Sequence, residues 1–344
     1  MKIAVDAMGG DKAPDVVVKG VVDYLNEDKD GDFLKIVLVG KEKVIRKELK
    51  KHTIKSEDRI EILNAKEEIS MKEHFFSYWK KREETSVKIG LDLVRKNSAQ
   101  AMVSAGNTGA VMAISKSVLG PIEDIDRPAL ALMLPTLKGS SMLMDVGANV
   151  DSKPKNLVQF ALMGKIFLEN VYGIKNPKIA LMSIGEEDIK GNILIKKTFK
   201  LLKKIDINFI GNVEGKDVYA GDADLIVTDG FTGNVALKVS EGVIDTMLSM
   251  LKHEMTFGIL SKIGFFFLKS ALKRVQKKLD YSEYGGALLL GVKGLVIIGH
   301  GRSSEKAIKN AIILGKKFVT GNVLEKISKE LSKVKGVLKE LQYV

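Results

Sequence analysis

The chain has 344 residues, 45% of them hydrophobic, and no cysteine, which allows a large core and excludes disulfides, thiolate metal sites and cysteine nucleophiles. Its formal net charge is +12, and nearly all of the excess lies between Met255 and Val344, where 17 basic residues stand against 6 acidic ones. That asymmetry points to an acidic partner or an anionic surface, while only seven arginines in the chain disfavour sequence-specific nucleic-acid reading.

The chain opens as a strand, Ile3 to Val5, and the early Asp6 leaves no apolar stretch for a signal peptide. Its apolar runs are of strand length, too short to span a bilayer, and the lack of cysteine fits a reducing cytoplasm. The strand ends in D-A-M-G-G-D, where Asp6 and Asp11 flank Gly9 and Gly10. A carboxylate pair at a strand end can orient a substrate or bind a cation, and Asp beside Gly-Gly is also ordinary turn chemistry. Spacing alone leaves both readings open. Helix Asp15 to Asn26, strand Lys35 to Val39, helix Lys41 to Lys50 and strand Arg59 to Leu63 alternate as βαβαβ, which predicts a parallel, doubly wound sheet. Residues 66–84 break this alternation and include His74, which has no partner at metal-ligand spacing and reads as a surface residue.

Helix Thr85 to Lys96 leads into M-V-S-A-G-N-T-G-A-V at 102–111, a strand, a tight turn and a helix start. Strands Leu130 to Leu134 and Ser141 to Val146 follow, the second ending D-V-G-A-N-V-D with Asp145, Asn149 and Asp151 where open α/β sheets bind ligands. After helix Asn156 to Val171 and strand Lys178 to Ile184, G-E-E-D-I-K-G-N sets Lys190 at the next helix start. A lysine there can hold phosphate or polarise a carbonyl, or simply face solvent. Past strand Asn208 to Ile210 comes D-L-I-V-T-D-G-F-T-G-N-V at 224–235, which superposes Gly230, Thr232 and Gly233 on Gly106, Thr108 and Gly109. Converging backbone N–H groups, the Thr232 hydroxyl and a helix N-terminus make an anion cradle the expectation for G-x-T-G. Asn234 stands where the first loop has Ala110, and its amide can donate to an oxyanion.

Helix Val235 to Met250 runs into a segment, Met255 to Leu279, with six basic residues and no acid. Leu260, Ile263 and Phe267 recur with helical spacing, Phe265, Phe266 and Leu268 thicken the apolar centre, and Lys269 and Lys273 follow. This predicts an amphipathic helical hairpin over 250–282, bending at Gly258 or Gly264 with its apolar tip at Gly264 to Phe267. It would touch a membrane surface or a second subunit. Strand Leu295 to Ile298 ends in G-H-G-R-S-S, a dinucleotide fingerprint lacking its third glycine. A last helix over 322–344 carries a short heptad seam, Leu324, Ile327, Leu331, Val334, Leu338 and Leu341, expected on the core or at a dimer interface.

Together D-A-M-G-G-D, S-A-G-N-T-G-A, D-V-G-A-N-V-D, G-E-E-x-x-K-G and D-G-F-T-G-N-V resemble the phosphate acyltransferases of bacterial glycerophospholipid synthesis, over about residues 1–320. The resemblance implies an α/β fold with a doubly wound, mostly parallel sheet like that of isocitrate dehydrogenase and phosphotransacetylase. It implies one compact unit over 1–344 from which the amphipathic segment protrudes. The reaction it implies is acyl transfer from acyl carrier protein to inorganic phosphate by a homodimer, with no cofactor, metal or nucleic acid. Lys190 and Asn234 would be catalytic. Asp6, Gly9, Gly10, Gly106, Asn107, Thr108, Gly109, Asn149, Gly230, Thr232 and Gly233 would bind phosphate or substrate. A cytoplasmic enzyme with reversible membrane contact through 260–273 follows from a product that carries a fatty chain. The sequence departs from the family near 70–87 and at Leu288, where proline is usual. Rival readings are an acyl-coenzyme A phosphotransacetylase, a nucleotide-dependent dehydrogenase, and a non-catalytic basic scaffold for membrane or nucleic acid.

Overall fold

A computed structural model describes residues 1–28, 34–71, 84–256, 258–279 and 281–333. His74 and Trp79 lie outside the described residues, as do Val334, Leu338 and Leu341 of the heptad and the side chains of Leu260, Ile263 and Phe266.

The first strands, β1 (Lys2–Asp6), β2 (Lys35–Gly40) and β3 (Ile60–Asn64), are apolar runs that pair in parallel. Between them come α1 (Asp15–Glu27) and α2 (Glu42–Leu49). Helix α3 (Ser86–Arg95), capped by the Thr85 hydroxyl, precedes β4 (Ala101–Ser104) and α4 (Thr108–Leu119). Strands β5 (Ala129–Thr136) and β6 (Gly139–Met144) form an antiparallel hairpin in register Thr136 to Gly139. Then follow α5 (Pro154–Phe167), β7 (Ile179–Met182), α6 (Ile193–Leu202), β8 (Phe209–Val213), β9 (Leu225–Val227) and the 27-residue α7 (Gly230–Thr256). Helix α8 (Ile259–Leu279), β10 (Ala287–Leu290), β11 (Leu295–Ile298), α9 (Glu305–Thr320) and α10 (Val323–Lys333) complete the described chain.

The eleven strands among the described residues form one sheet in the order β3-β2-β1-β4-β11-β10-β5-β6-β9-β7-β8. Strands β3, β2, β1, β4 and β11 run together, and β6, β9, β7 and β8 run together. Three antiparallel steps through β10, β5 and β6 lie between, so the two parallel sets point in opposite directions. The fold is the expected doubly wound α/β sheet. Strand β10 escaped the sequence reading because Ala-Leu-Leu-Leu has no alternation, being buried on both faces.

One face of the sheet is covered by α1, α5, α6 and α9, through Val18, Phe160, Phe199 and Ile312. The other is covered by α3, α4 and α7, through Leu91, Val111 and the half-buried Leu237. Strand β4 therefore sends its helix to one face while its neighbours β1 and β11 send theirs to the opposite face. Strand β9 stands in the same relation to β6 and β7. Each G-x-T-G loop thus sits at a topological switch point, where diverging helices leave a crevice at the strand ends.

Helix packing is tight at Gly20 of α1, where an added Cβ would stand 2.6 Å from the Glu305 backbone oxygen and 2.7 Å from Ile308 Cβ. Alanine normally stabilises a helix interior relative to glycine by about 1 kcal/mol. Here the clash with backbone reverses the sign, and Gly20→Ala should destabilise the fold by about 1–3 kcal/mol in urea unfolding. A neutral or stabilising result would show that α1 and α9 are less closely apposed.

Candidate active site

The residues singled out in the sequence gather at two crevices. Because the two parallel sets point in opposite directions, the crevices lie at opposite edges of the sheet. Asp6, Gly9, Gly10, Gly106, Asn107, Thr108 and Gly109 belong to the β1/β4 crevice. Asn149, Lys190, Gly230, Thr232, Gly233 and Asn234 belong to the one at β6, β9 and β7.

In the first crevice Asp6 is buried, and its carboxylate accepts from the Ser104 hydroxyl at 2.7 Å and the Met8 N–H at 3.1 Å. Burial pushes the Asp6 carboxyl above its ordinary value, while hydrogen bonds from Ser104, Ser86 and Met8 pull it back. Gly9 is held because a Cβ there would lie 2.6 Å from Asp6 Oδ2 and 2.7 Å from the Gly106 nitrogen. Asp6 thus organises the loop from inside, without facing a ligand. The Asn107 side chain caps α4 by accepting from the Ala110 N–H at 3.0 Å, and it donates to the Met71 carbonyl at 3.2 Å. Thr108 and Gly109 are exposed on the first turn of α4, with space around Gly109.

The second crevice is built on Asp145, which is fully buried. Its carboxylate accepts five hydrogen bonds: from the N–H of Leu130, Gly147, Ala148 and Asn149, and from the Asn149 side chain, at 2.8–3.1 Å. Burial raises its proton affinity, and these donors oppose that rise. Two sequence expectations change here. Asn149 is buried, with its amide nitrogen spent on Asp145 and on the Pro128 carbonyl at 2.7 Å, so it forms the wall of the crevice. The anion cradle expected at Gly230 to Gly233 is filled from within. The Asp229 carboxylate accepts from the Thr232 N–H and hydroxyl at 2.9 and 2.8 Å, and the N–H groups of Gly230 and Gly233 donate to the Asn149 and Asp229 carbonyls. Glycine is needed for close approach instead: a Cβ on Gly233 would lie 1.9 Å from the Asp145 oxygen, and one on Gly230 would lie 2.5 Å from the Asn149 oxygen.

Two polar side chains remain outward. Asn234, in the first turn of α7, is exposed and lies over Gly147, where a Cβ would come within 2.7 Å of its Nδ2. Lys190 is exposed and folds over Gly185, whose Cβ would meet its Cγ at 2.9 Å. Strands β7 and β9 are parallel neighbours, so the loop that carries Lys190 and the first turn of α7 that carries Asn234 follow adjacent strand ends at the same edge of the sheet. Lys190 has no carboxylate partner among the described residues. The sequence sets Asp145 with Asn149 and Asp151 where ligands bind, because a buried carboxylate and a ligand-facing one look alike in D-V-G-A-N.

His300, after β11, feels the Lys238 ammonium, and Lys238 is one helical turn, about 6 Å, beyond Asn234. Burial first, then Lys238, hold the His300 imidazole below the usual histidine value; Arg302 adds to this, and Glu241 and Asp11 oppose it. Among the described residues the crevices hold no metal-binding cluster. A group that does gather, Asp15, Glu48 and His52, lies on α1 and in and next to α2.

The class of fold is shared with the phosphotransacetylases. The EutD phosphotransacetylase from Staphylococcus aureus superposes with a TM-score of 0.59 at 14% identity, covering 93% of this chain and 94% of that one. A phosphotransacetylase from Streptococcus pyogenes does so with a TM-score of 0.59 at 18% identity, covering 92% and 94%. The chain belongs to the fatty acid synthesis protein family, whose pattern matches residues 1–326. It is 50% identical to the phosphate acyltransferase of Carboxydothermus hydrogenoformans over 95% of this chain and 97% of that one. To the phosphate acyltransferase of Clostridium tetani it is 48% identical, over 96% and 98%.

A histidine with a lowered folded-state value binds a proton less readily folded than unfolded. Its contribution to stability is complete above the unfolded value, 6.5, and is lost as pH falls through the folded one. Melting temperature should therefore drop as the pH falls below 6.5 by an amount that the His300→Gln variant lacks. Superimposable pH profiles for the two proteins would remove this assignment.

Proposed function

We infer that the chain transfers a fatty acyl group from the thioester of acyl carrier protein to inorganic phosphate, releasing the carrier thiol and an acyl phosphate for phospholipid synthesis. Acyl transfer to phosphate accords with the family. The observation that carries it is the pair Lys190 and Asn234, both exposed, in the loop that follows β7 and in the helix turn that follows the neighbouring β9.

Hydrogen phosphate is already a nucleophile near neutral pH, so the reaction needs positioning and stabilisation of a tetrahedral oxyanion more than a base. Lys190 neutralises charge on the phosphate as its oxygen bonds to the thioester carbon. Asn234 Nδ2 donates to the carbonyl oxygen as it becomes an oxyanion. The C–S bond then breaks, and the proton carried by the phosphate ends on the departing thiol. The sequence carries no Ser-His or Cys-His nucleophile signature, which favours direct attack over an acyl-enzyme. The exposed turn Thr108–Gly109, with Gly9, Gly10, Gly106 and Asn107 behind it, is a second place for an anionic part of a substrate.

Purified protein incubated with acyl carrier protein thioester and phosphate should yield acyl phosphate trapped by hydroxylamine. Lys190→Ala and Asn234→Ala should each lower turnover about 100- to 1000-fold with the fold intact. Near-normal turnover in both variants would sink the assignment, and faster reaction with a coenzyme A thioester would favour the phosphotransacetylase alternative.

The subunit arrangement and the membrane contact belong to the same proposal. An apolar ridge of exposed side chains, Phe231, Val235, Val239, Val243 and Met247, runs along α7 at every fourth residue, a seam suited to a homodimer. The hairpin differs from the expectation in one respect. The chain bends at Gly258, with φ +86°, and helix α8 continues unbroken through Gly264 to Phe267. Phe267 and Leu268, 76% and 50% exposed, therefore project from the middle of α8, followed by the exposed Lys269 and Lys273. Phe265 is half-buried. No described helix is long and apolar enough to cross a membrane, so contact would be with the bilayer surface. Replacing Phe267 and Leu268 with Ser should reduce sedimentation with anionic vesicles and leave turnover on soluble substrate unchanged. Retained sedimentation, or binding indifferent to lipid charge and salt, would assign these residues to the protein's own packing.

A further inference from the structure

The crevice chemistry leaves unused a group on the opposite face of the sheet. Glu48, on the last turn of α2, and His52, four residues on, present Oε1 and Nε2 to one another at 3.7 Å. Asp15, the first residue of α1, brings a carboxylate oxygen to the same point, and the three donor atoms lie within 4.8 Å of one another. Three features of the surroundings bear on what this group does. Glu48 is buried, at 7% exposure, so its charge is not left to solvent. Lys51 Nζ takes the other carboxylate oxygen, Oε2, at 2.6 Å and thereby fixes Oε1 toward His52. His52 Nε2 is itself buried and has no hydrogen-bond partner.

A buried ring nitrogen without a partner is costly. The simplest remedy within the protein would be an imidazolium donating to Glu48, but 3.7 Å is well beyond the usual 2.7–3.2 Å, roughly, of an N–H···O hydrogen bond. The spacing is close instead to the edge of a coordination tetrahedron. Two ligands bound about 2.0–2.2 Å from one tetrahedral ion stand roughly 3.3–3.6 Å apart. One imidazole and two carboxylates are a donor set for zinc, manganese or cobalt, and not for soft ions that want thiolate. The hydrogen bond from Lys51 to the ligating carboxylate is the kind of outer contact that orients a metal ligand.

We propose that Asp15, Glu48 and His52 form a divalent transition-metal site that ties the start of α1 to the end of α2. The site is structural. It lies on the face covered by α1 and α2, away from α7, and it anchors the helix that follows the Gly9–Gly10 loop.

Untagged protein freed of metal with a chelator is titrated with zinc chloride by calorimetry and with cobalt chloride by visible absorption. The expected result is one ion per chain and a melting temperature higher by about 2–4 °C at saturation. His52→Gln and Asp15→Asn, each close in shape to the original, should weaken binding at least about tenfold and abolish the shift, with acyl phosphate formation unchanged. Absence of binding of zinc, cobalt or manganese to well-folded protein at about 100 μM overturns the proposal. So does binding of equal affinity and stoichiometry to the double variant, which would place the ion elsewhere on the surface.

Discussion

The second crevice depends on one buried carboxylate. Asp145 sits at zero exposure with five N–H donors around it, and each hydrogen bond to a charged group contributes about 1.5–3 kcal/mol toward offsetting desolvation. The arrangement is geometric as much as energetic. Wrapping the 147–149 backbone around its own aspartate draws the loop into a tight knot. The first turn of α7 then descends on that knot so closely that positions 230 and 233 admit no side chain. Asn234, the next residue, is thereby delivered to the crevice with its amide over Gly147.

The first crevice repeats this plan with different parts. Asp6 is the buried carboxylate, Ser104 and Met8 are donors, and Gly9 is the residue whose side chain would collide with them. In both places an internal acid organises glycine-rich backbone at a switch point, and burial raises the proton affinity of both acids. The difference lies in what is left over. At α7 the helix N-terminus is occupied by Asp229, and the outward groups are Lys190 and Asn234. At α4 the cap is the neutral Asn107, and the first-turn residues Thr108 and Gly109 face outward. The charge already present at one helix start and absent at the other gives the two similar loops different chemistry.

Much of this was legible in sequence. Strand-loop-helix alternation and the paired G-x-T-G segments follow from local periodicity and glycine placement, and the structure puts both segments at corresponding topological positions. What sequence could not separate was a glycine that admits a ligand from a glycine that admits the protein's own backbone. Gly233 is the clear instance, since the group it accommodates is the carbonyl of Asp145, eighty-eight residues away. Asn149 failed for the same reason: its polar amide reads as a ligand contact until Pro128 and Asp145 are seen to consume it. The sequence offers both Gly258 and Gly264 for the bend and sets the tip at Gly264 to Phe267, and only the positive φ at 258 distinguishes the glycine that breaks the helix.

Helix α7 joins events that the sequence presents as separate. At 27 residues it is about 40 Å long, and its register fixes everything it carries. Asn234 is held by the Asp145 knot, Lys238 follows one turn later beside His300, and the apolar ridge from Val235 to Met247 occupies another side of the same rod. The Gly258 bend then turns the chain into α8. A helix cannot rotate its first turn without rotating its last, so seating the ridge against another subunit would fix the azimuth at which Asn234 enters the crevice. The same rigidity runs outward: a surface that restrained the hairpin would restrain a residue roughly 35 Å away, without any contact between lipid and crevice. The tightness at Gly230 and Gly233 then has a mechanical reading, because only a helix clamped at its base can transmit orientation along its length.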